Sequence, residues 1–184
     1  MEDMVPFGSR AYAILLPLLL FARSMDFLST WVATPNLVLE ANPIARRLRW
    51  KWGMVVNVVL CVLFAAWPLP AIIIATTSVL VAARNFQHAW LMRSYGEENY
   101  RDWFLERLED ARPGLFLFCL VAQTLLIAAL GGVLVFFGLQ IPTDHDQLVP
   151  LGMGIGFVAY AVAVAVYTLL ALWRNRQAVL GRTE

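Results

Sequence analysis

Five long apolar segments set the limits on what this 184-residue chain can fold into. Each approaches the roughly 20 residues that an α-helix needs to cross a bilayer. Hydrophobic residues make up 60% of the chain and charged residues only 15%, whereas about 25% of an average soluble domain is charged. We therefore predict an all-α integral membrane protein, with residues 1–184 forming a single membrane domain. Its bundle of five transmembrane helices covers about residues 11–33, 52–67, 71–92, 114–139 and 150–173.

The basic residues are distributed unevenly around these segments. With five spans, eleven Arg and Lys residues of residues 34–51, residues 93–113 and the C-terminal tail fall on one side, against Arg10 on the other. Basic residues accumulate on the cytoplasmic side of membrane proteins. The pattern therefore places the N-terminus outside and the C-terminus in the cytoplasm. It indicates a multi-pass protein of a cell membrane, with a prokaryotic cytoplasmic membrane as the favoured location.

Two connections between spans have a structure of their own. Pro68 and Pro70 interrupt the apolar sequence between the second and third spans, which predicts a tight helical hairpin there because proline resists helix continuation. Near residues 97–110, aromatic and charged residues alternate at helical spacing. We predict an amphipathic helix at the cytoplasmic interface. A soluble helix that packs on the bundle is the alternative.

Polar side chains inside the spans are the next constraint. A charged group at the centre of a span costs roughly 2.5–3.5 kcal/mol, so it needs a partner or a function. In the first span, the spacing of Arg23, Asp26 and Thr30 places them on one helical face. The third span carries a second polar group, Arg84, Asn85 and His88, at a similar depth in the membrane. The polar groups of the first and third spans can therefore meet.

A short turn, Glu40-Ala41-Asn42-Pro43, follows the first span. Pro43 suits the first turn of a helix, and Asn42 suits its N-cap. Glu40 is then free to point toward Asp26. The candidate ligand-binding residues are therefore Asp26, Thr30, Glu40, Asn42, Arg84, Asn85 and His88.

These residues allow several interpretations. Asp26 can form a structural ion pair with Arg23 or Arg84, bind a ligand or ion, or take part in acid/base chemistry. Glu40 can instead cap a helix or pair with the basic residues at 46–51. Asp26, Glu40 and His88 together have the chemistry of a divalent-cation site. Thr30 and Asn85 can bind a ligand or join two helices by ordinary hydrogen bonds.

The sequence resembles an uncharacterised family of small prokaryotic membrane proteins. In that family an Asp-x-x-x-Thr span is followed by a Glu-x-Asn-Pro turn. The resemblance covers roughly residues 20–90 and rests on Asp26, Thr30, the turn at residues 40–43 and Asn85. It supports this residue set and implies no activity.

Three functions follow from these features. The favoured one is a membrane protein whose polar site at the cytoplasmic side binds or moves a cation, a proton or a lipid headgroup. The second is an accessory subunit of a larger complex, in which a protein partner packs on the Gly/Ala-rich span at residues 150–173. The third is a membrane-embedded enzyme that acts on a lipid or prenyl substrate.

The sequence also limits which cofactors and partners we expect. A net charge of +1 gives no indication of nucleic-acid binding, so the partner that we expect is the lipid bilayer. His88 and His145 fall on opposite sides of the predicted membrane, and we therefore expect no haem bound by this chain alone. The identity of any other cofactor stays open.

Overall fold

The computed structural model describes residues 4–40, 42–141 and 144–180, and within these ranges it describes the side chains of all residues except 108–109, 144–146 and 174–180. This part of the chain is helical and contains no β-strand. Its helices are α1 (Arg10–Ala33), α2 (Pro43–Phe64), α3 (Pro68–Tyr95), α4 (Glu97–Asp110), α5 (Pro113–Gln140) and α6 (Asp144–Leu180).

Helices α1, α3, α5 and most of α6 are each long and apolar enough to cross a membrane. Large apolar side chains cover their outer surfaces. On α5, for example, Phe118 and Leu126 are 69% and 74% exposed. Water would make such a surface unfavourable, whereas lipid chains are as apolar as the side chains themselves. The four helices therefore indicate a multi-pass membrane protein that contacts the bilayer.

Helix α2 begins where the sequence predicts and then breaks. Asn42 caps it, since its side-chain oxygen accepts a 3.0 Å hydrogen bond from the backbone N–H of Ile44. The helix is interrupted at Arg49, whose φ of 56° and ψ of −175° belong to a region that is essentially restricted to glycine. A short amphipathic piece is thereby separated from the apolar piece that follows it.

The apolar piece of α2 runs antiparallel to α1. Near one end, the Tyr12 hydroxyl donates to the Val62 carbonyl oxygen at 3.1 Å, and near the other the Trp50 indole N–H donates to the Pro35 carbonyl oxygen at 2.8 Å. The chain then reverses over residues 65–67, and α3 begins at Pro68. The predicted hairpin is confirmed, although Pro68 lies in the first turn of α3 rather than in the turn itself.

The core lies where α1 and α3 pack together. Ala22, Ala71 and Ala75 are buried there with Leu19, and small side chains allow two helices to approach closely. The helices run parallel, because Arg23 of α1 contacts Ser78 of α3, and Ser29 and Thr30, which come later in α1, contact Asn85, which comes later in α3.

Helix α6 packs on both α3 and α5 by means of its glycines. A Cβ atom at Gly152 or Gly156 would lie 2.8 Å from a side-chain atom of α3, and one at Gly154 would lie 2.6 Å from the backbone oxygen of Gly131 in α5. The small residues that were predicted to receive a protein partner are thus used, at these three positions, for contacts within the chain. The helix also begins at Asp144, six residues before the predicted start, and includes Pro150.

Candidate functional site

Arg23 is the centre of a polar network that joins the first three helices. Its Nη1 donates to Asp26 Oδ2 and its Nε donates to Asn57 Oδ1, both at 2.7 Å. Nη2 donates to the same Asn57 oxygen, and Nη1 also donates to Ser78 Oγ at 3.1 Å. Because α1 supplies Arg23 and Asp26, α2 supplies Asn57 and α3 supplies Ser78, one guanidinium connects all three helices.

The charges of Arg23 and Asp26 offset each other within the bundle. Their side chains are 27% and 17% exposed, and they lie one turn apart on the same face of α1. The Asn57 amide is oriented for this network, since its Nδ2 donates to the Gly53 carbonyl oxygen at 2.8 Å and its oxygen faces the guanidinium. Asp26 therefore acts as the counter-ion of Arg23, which is one of the two partners that the sequence allowed.

A second group of hydrogen bonds connects α1 and α3. The Asn85 amide donates to Ser29 Oγ and to Thr30 Oγ1, each at 3.2 Å. Ser29 is fully buried, and its hydroxyl donates to the backbone oxygen of Asp26 at 2.8 Å. The structure therefore brings the predicted residues Asp26, Thr30 and Asn85 into one connected network.

The structure does not bring Arg84 or His88 into that network. His88 is exposed, and its Nδ1 lies 3.3 Å from the Arg84 backbone oxygen one turn earlier, because the ring folds back along its own helix. In the described part of the chain, no group of three His, Cys, Asp or Glu side chains could hold a metal ion. The divalent-cation site considered for Asp26, Glu40 and His88 is therefore not assembled.

Glu40 and Asn42 organise the connection between α1 and α2. Glu40 Oε1 accepts a 2.7 Å hydrogen bond from the backbone N–H of Asn42, which in turn caps α2. Glu40 is also close enough to Asp26 for the two negative charges to interact. The connection thus folds back toward the Arg23 network, and Asn42 serves as the predicted cap.

Glu97, the first residue of α4, holds the same connection in place. Its Oε2 accepts hydrogen bonds from Thr34 Oγ1 at 2.5 Å and from the Val38 backbone N–H at 3.0 Å. Its Oε1 accepts from the backbone N–H and the side-chain amide of Asn36 at 2.8 and 2.9 Å. One carboxylate therefore fixes residues 34–38 against the start of α4.

These donors also determine the charge state of Glu97. Partial burial raises the pKa of the carboxyl group, but the hydrogen bonds from Thr34, Asn36 and Val38 favour the ionised form more strongly. The net result is a pKa below the ordinary value of 4.5. The carboxylate is thus ionised, and the connection is held, throughout the neutral range.

We expect acid to release this connection. Because the pKa of Glu97 is lowered by folding, its contribution to stability is present above pH 4.5 and is lost as the pH falls through the lower folded-state pKa. The Glu97→Gln variant should lose about 1–2 kcal/mol at pH 7, since solvent weakens these charge-assisted hydrogen bonds. Unfolding measured between pH 7 and pH 3 should show a smaller acid dependence in this variant than in the parent protein. An unchanged acid dependence, equal to that of the exposed control Glu106→Gln, would contradict the assignment.

An open cavity of about 390 Å³ lies beside the connection. It is lined by residues 36–38, by Arg46 and Arg49 of α2, and by Glu98 and Arg101 of α4. Within the described residues, neither Arg46 nor Arg49 forms an ion pair, whereas Arg101 pairs with its neighbour Asp102 at 3.2 Å. Among the residues that line the cavity, arginines therefore outnumber carboxylates by three to one.

The backbone of Arg49 is strained at this cavity. Its positive φ occurs at the break in α2, where the side chain lines the cavity. A non-glycine residue in such a conformation costs on the order of 1–3 kcal/mol, and residues of this kind cluster at ligand-binding sites. The strained residue thus lines the same cavity as Arg46.

Several residues of these networks were not among the predicted site residues. Asn57 had a visible signal, because it is the only strongly polar side chain in the apolar segment at residues 52–67. Ser78 and Glu97 had none, since their partners lie 55 or more residues away in the sequence. Arg46, Arg49 and Arg101 indicate only topology in the sequence, because their convergence on one cavity depends on tertiary structure.

The fold and these networks define a multi-pass helical protein. Interior hydrogen bonds join its first three helices, and three arginines line a cavity beside the α1–α2 connection. No protein-family model matches the chain, and neither the curated proteins nor the solved structures provide a significant match. The function is therefore inferred from the residues and their geometry.

Proposed function

We propose that the protein crosses the cytoplasmic membrane five times, with its N-terminus outside. We propose further that its basic cavity binds the phosphate-containing headgroup of a membrane lipid at the cytoplasmic side. This is the lipid-headgroup form of the function that the sequence favours. The ligand contacts, however, are assigned to the arginines of α2 and α4 rather than to Asp26 and its neighbours.

The path of α2 supports the fifth crossing. Although α2 is not among the four long apolar helices, its apolar piece runs beside α1 from Trp50 to Val62 and continues into α3 through a tight turn. A short apolar helix can be accommodated by local thinning of the bilayer and by interfacial residues such as Trp50. With five crossings, the α1–α2 connection and α4 lie on the same, positively charged side.

The single observation that carries the ligand proposal is the pair of arginines Arg46 and Arg49, both without a carboxylate partner among the described residues and both lining one cavity. The planar guanidinium matches the geometry of a phosphate group and can donate two hydrogen bonds to it. The cavity follows directly after the end of α1, so the proposed topology puts it near the lipid headgroups of the cytoplasmic side. Basic pockets on the cytoplasmic side of transmembrane helices suit such groups.

The interior network supports this function indirectly. Arg23 already offsets the charge of Asp26, so binding or movement of a cation or proton at Asp26 receives less support from the geometry. Thr30 and Asn85 instead join α1 to α3, Asp26 holds the Arg23 side chain within α1, and Asn42 caps the helix that carries Arg46 and Arg49. These predicted residues thereby position the cavity walls.

Phospholipid retention by the purified protein tests the proposal. The protein is extracted in mild detergent that contains a mixture of phospholipids, and native mass spectrometry counts the phospholipid molecules that stay bound to each protein. Arg46→Gln should weaken retention about tenfold, the effect of losing one charge-assisted hydrogen-bonding group. Arg47→Gln is the matched control, because it removes the same charge from the same short helix at a residue that does not line the cavity. Equal retention by the two variants would overturn the proposal.

A further inference from the structure

The two helices that line the cavity, α2 and α4, present side chains of opposite charge to it. Arg46 and Arg49 give the α2 wall two positive charges, and neither arginine forms an ion pair within the described residues. On the α4 wall, the charge of Arg101 is offset by Asp102, while Glu98 lines the cavity without an ion pair or a hydrogen bond from the described residues. The cavity is therefore positive toward α2 and negative toward α4.

We infer that Glu98 is a specificity-determining residue that binds the ammonium group of a phosphoethanolamine headgroup. The inference rests on the proposed function, since the arginines of α2 bind the phosphate of the same headgroup. A ligand with a phosphate at one end and an ammonium at the other matches both walls at once. A purely anionic headgroup would leave the Glu98 carboxylate beside an uncompensated negative charge.

The chemistry of the lining favours a primary ammonium over the alternatives. A primary ammonium donates hydrogen bonds and carries the charge that Glu98 offsets, whereas the hydroxyl groups of phosphatidylglycerol donate hydrogen bonds without a charge. The quaternary ammonium of phosphatidylcholine donates none and is usually recognised by aromatic rings. The residues that line this cavity include no aromatic side chain.

Competition between defined lipids tests the inference. The full chain is exchanged into detergent with equal amounts of phosphatidylethanolamine, phosphatidylglycerol and phosphatidylcholine of identical acyl chains. The lipids retained are then identified by mass. The parent protein should prefer phosphatidylethanolamine about tenfold over each of the other two, the value of one charge-assisted hydrogen bond. Glu98→Gln should abolish this preference, whereas Glu106→Gln, the same change at an exposed position of α4 away from the cavity, should preserve it.

The outcomes separate this inference from the proposed function. If the parent protein shows no preference, or if Glu98→Gln keeps it, the role of Glu98 is refuted, while an effect of Arg46→Gln on total retention still supports phosphate binding. If neither variant changes lipid binding, both ideas fail. A protein that binds water-soluble phosphoethanolamine as tightly as the lipid would overturn the assignment of a lipid as the source of the headgroup.

Discussion

Asp26→Asn is expected to lower the free energy of unfolding by about 2–4 kcal/mol, because it leaves the Arg23 guanidinium without a counter-charge inside the bundle. This loss of stability is toward the lower end of the cost of breaking a buried ion pair, because the Asp26 and Arg23 side chains are still 17% and 27% exposed to solvent. The same guanidinium connects Asn57 of α2 and Ser78 of α3. The loss should therefore loosen α2 as well as α1.

A matched ion pair on the surface supplies the control. Arg107 and Asp110 have the same i, i+3 spacing in α4, but their side chains are 67% and 77% exposed and their charged atoms are 3.8 Å apart. Exposed pairs of this kind contribute about 0–1 kcal/mol, so Asp110→Asn should change stability little. Unfolding of each variant can be followed by circular dichroism in mixed detergent and denaturing micelles. Equal losses for the two variants would contradict the assignment of Asp26 as the counter-ion.

A double-mutant cycle then isolates the ion pair from the other bonds of Arg23. Removing the charge of Arg23 with Arg23→Gln should also destabilise the protein, because Asp26 would become the uncompensated charge. The double variant Arg23→Gln with Asp26→Asn should be more stable than the sum of the two single effects implies, since both charges are then absent. Simple additivity of the two losses would indicate that Arg23 and Asp26 act independently.

The sequence predicts the helices best where the determining signal is local. The observed α4, Glu97–Asp110, coincides with the segment predicted near residues 97–110, and Arg10–Ala33 begins one residue before the predicted first span. Hydropathy, caps and helical periodicity all act within a few residues of one another. The break of α2 at Arg49 is different, because no glycine or other local signal near that residue predicts a positive φ.

The candidate site is predicted only in part for the same reason. Residues spaced three and four apart must share a helical face, so periodicity alone places Asp26 and Thr30 on one face of α1. Asn85 of α3 bonds to Thr30 on that face, and through Ser29 it is linked to the Asp26 backbone. The direction in which His88 turns its ring depends on side-chain rotamers that spacing does not determine. The contacts of Glu97 with residues 34–38 join positions that are 59 to 63 residues apart in the chain. No local sequence pattern predicts them.

Gly131→Ala is expected to destabilise the protein by about 1–3 kcal/mol, because α5 and α6 touch through their backbones at this point. A Cβ atom at Gly131 would lie 2.6 Å from the Gly154 backbone oxygen and 2.9 Å from a methyl group of Val158. Backbone atoms of a packed helix cannot move aside as a flexible side chain can. The two helices must therefore separate, and every contact along their shared length weakens with them.

The neighbouring glycine makes the test unusually direct. A Cβ atom at Gly132 would meet nothing within 4 Å, so Gly132→Ala should be neutral or should stabilise α5 by up to about 1 kcal/mol through better helix propensity. The two variants have the same composition and differ by one position in one helix. Unfolding in mixed micelles should separate them clearly, whereas similar stabilities would show that α5 and α6 do not meet at Gly131. A confirmed difference would also mean that Gly154 contacts α5, and a partner protein would then have to bind α6 through another face.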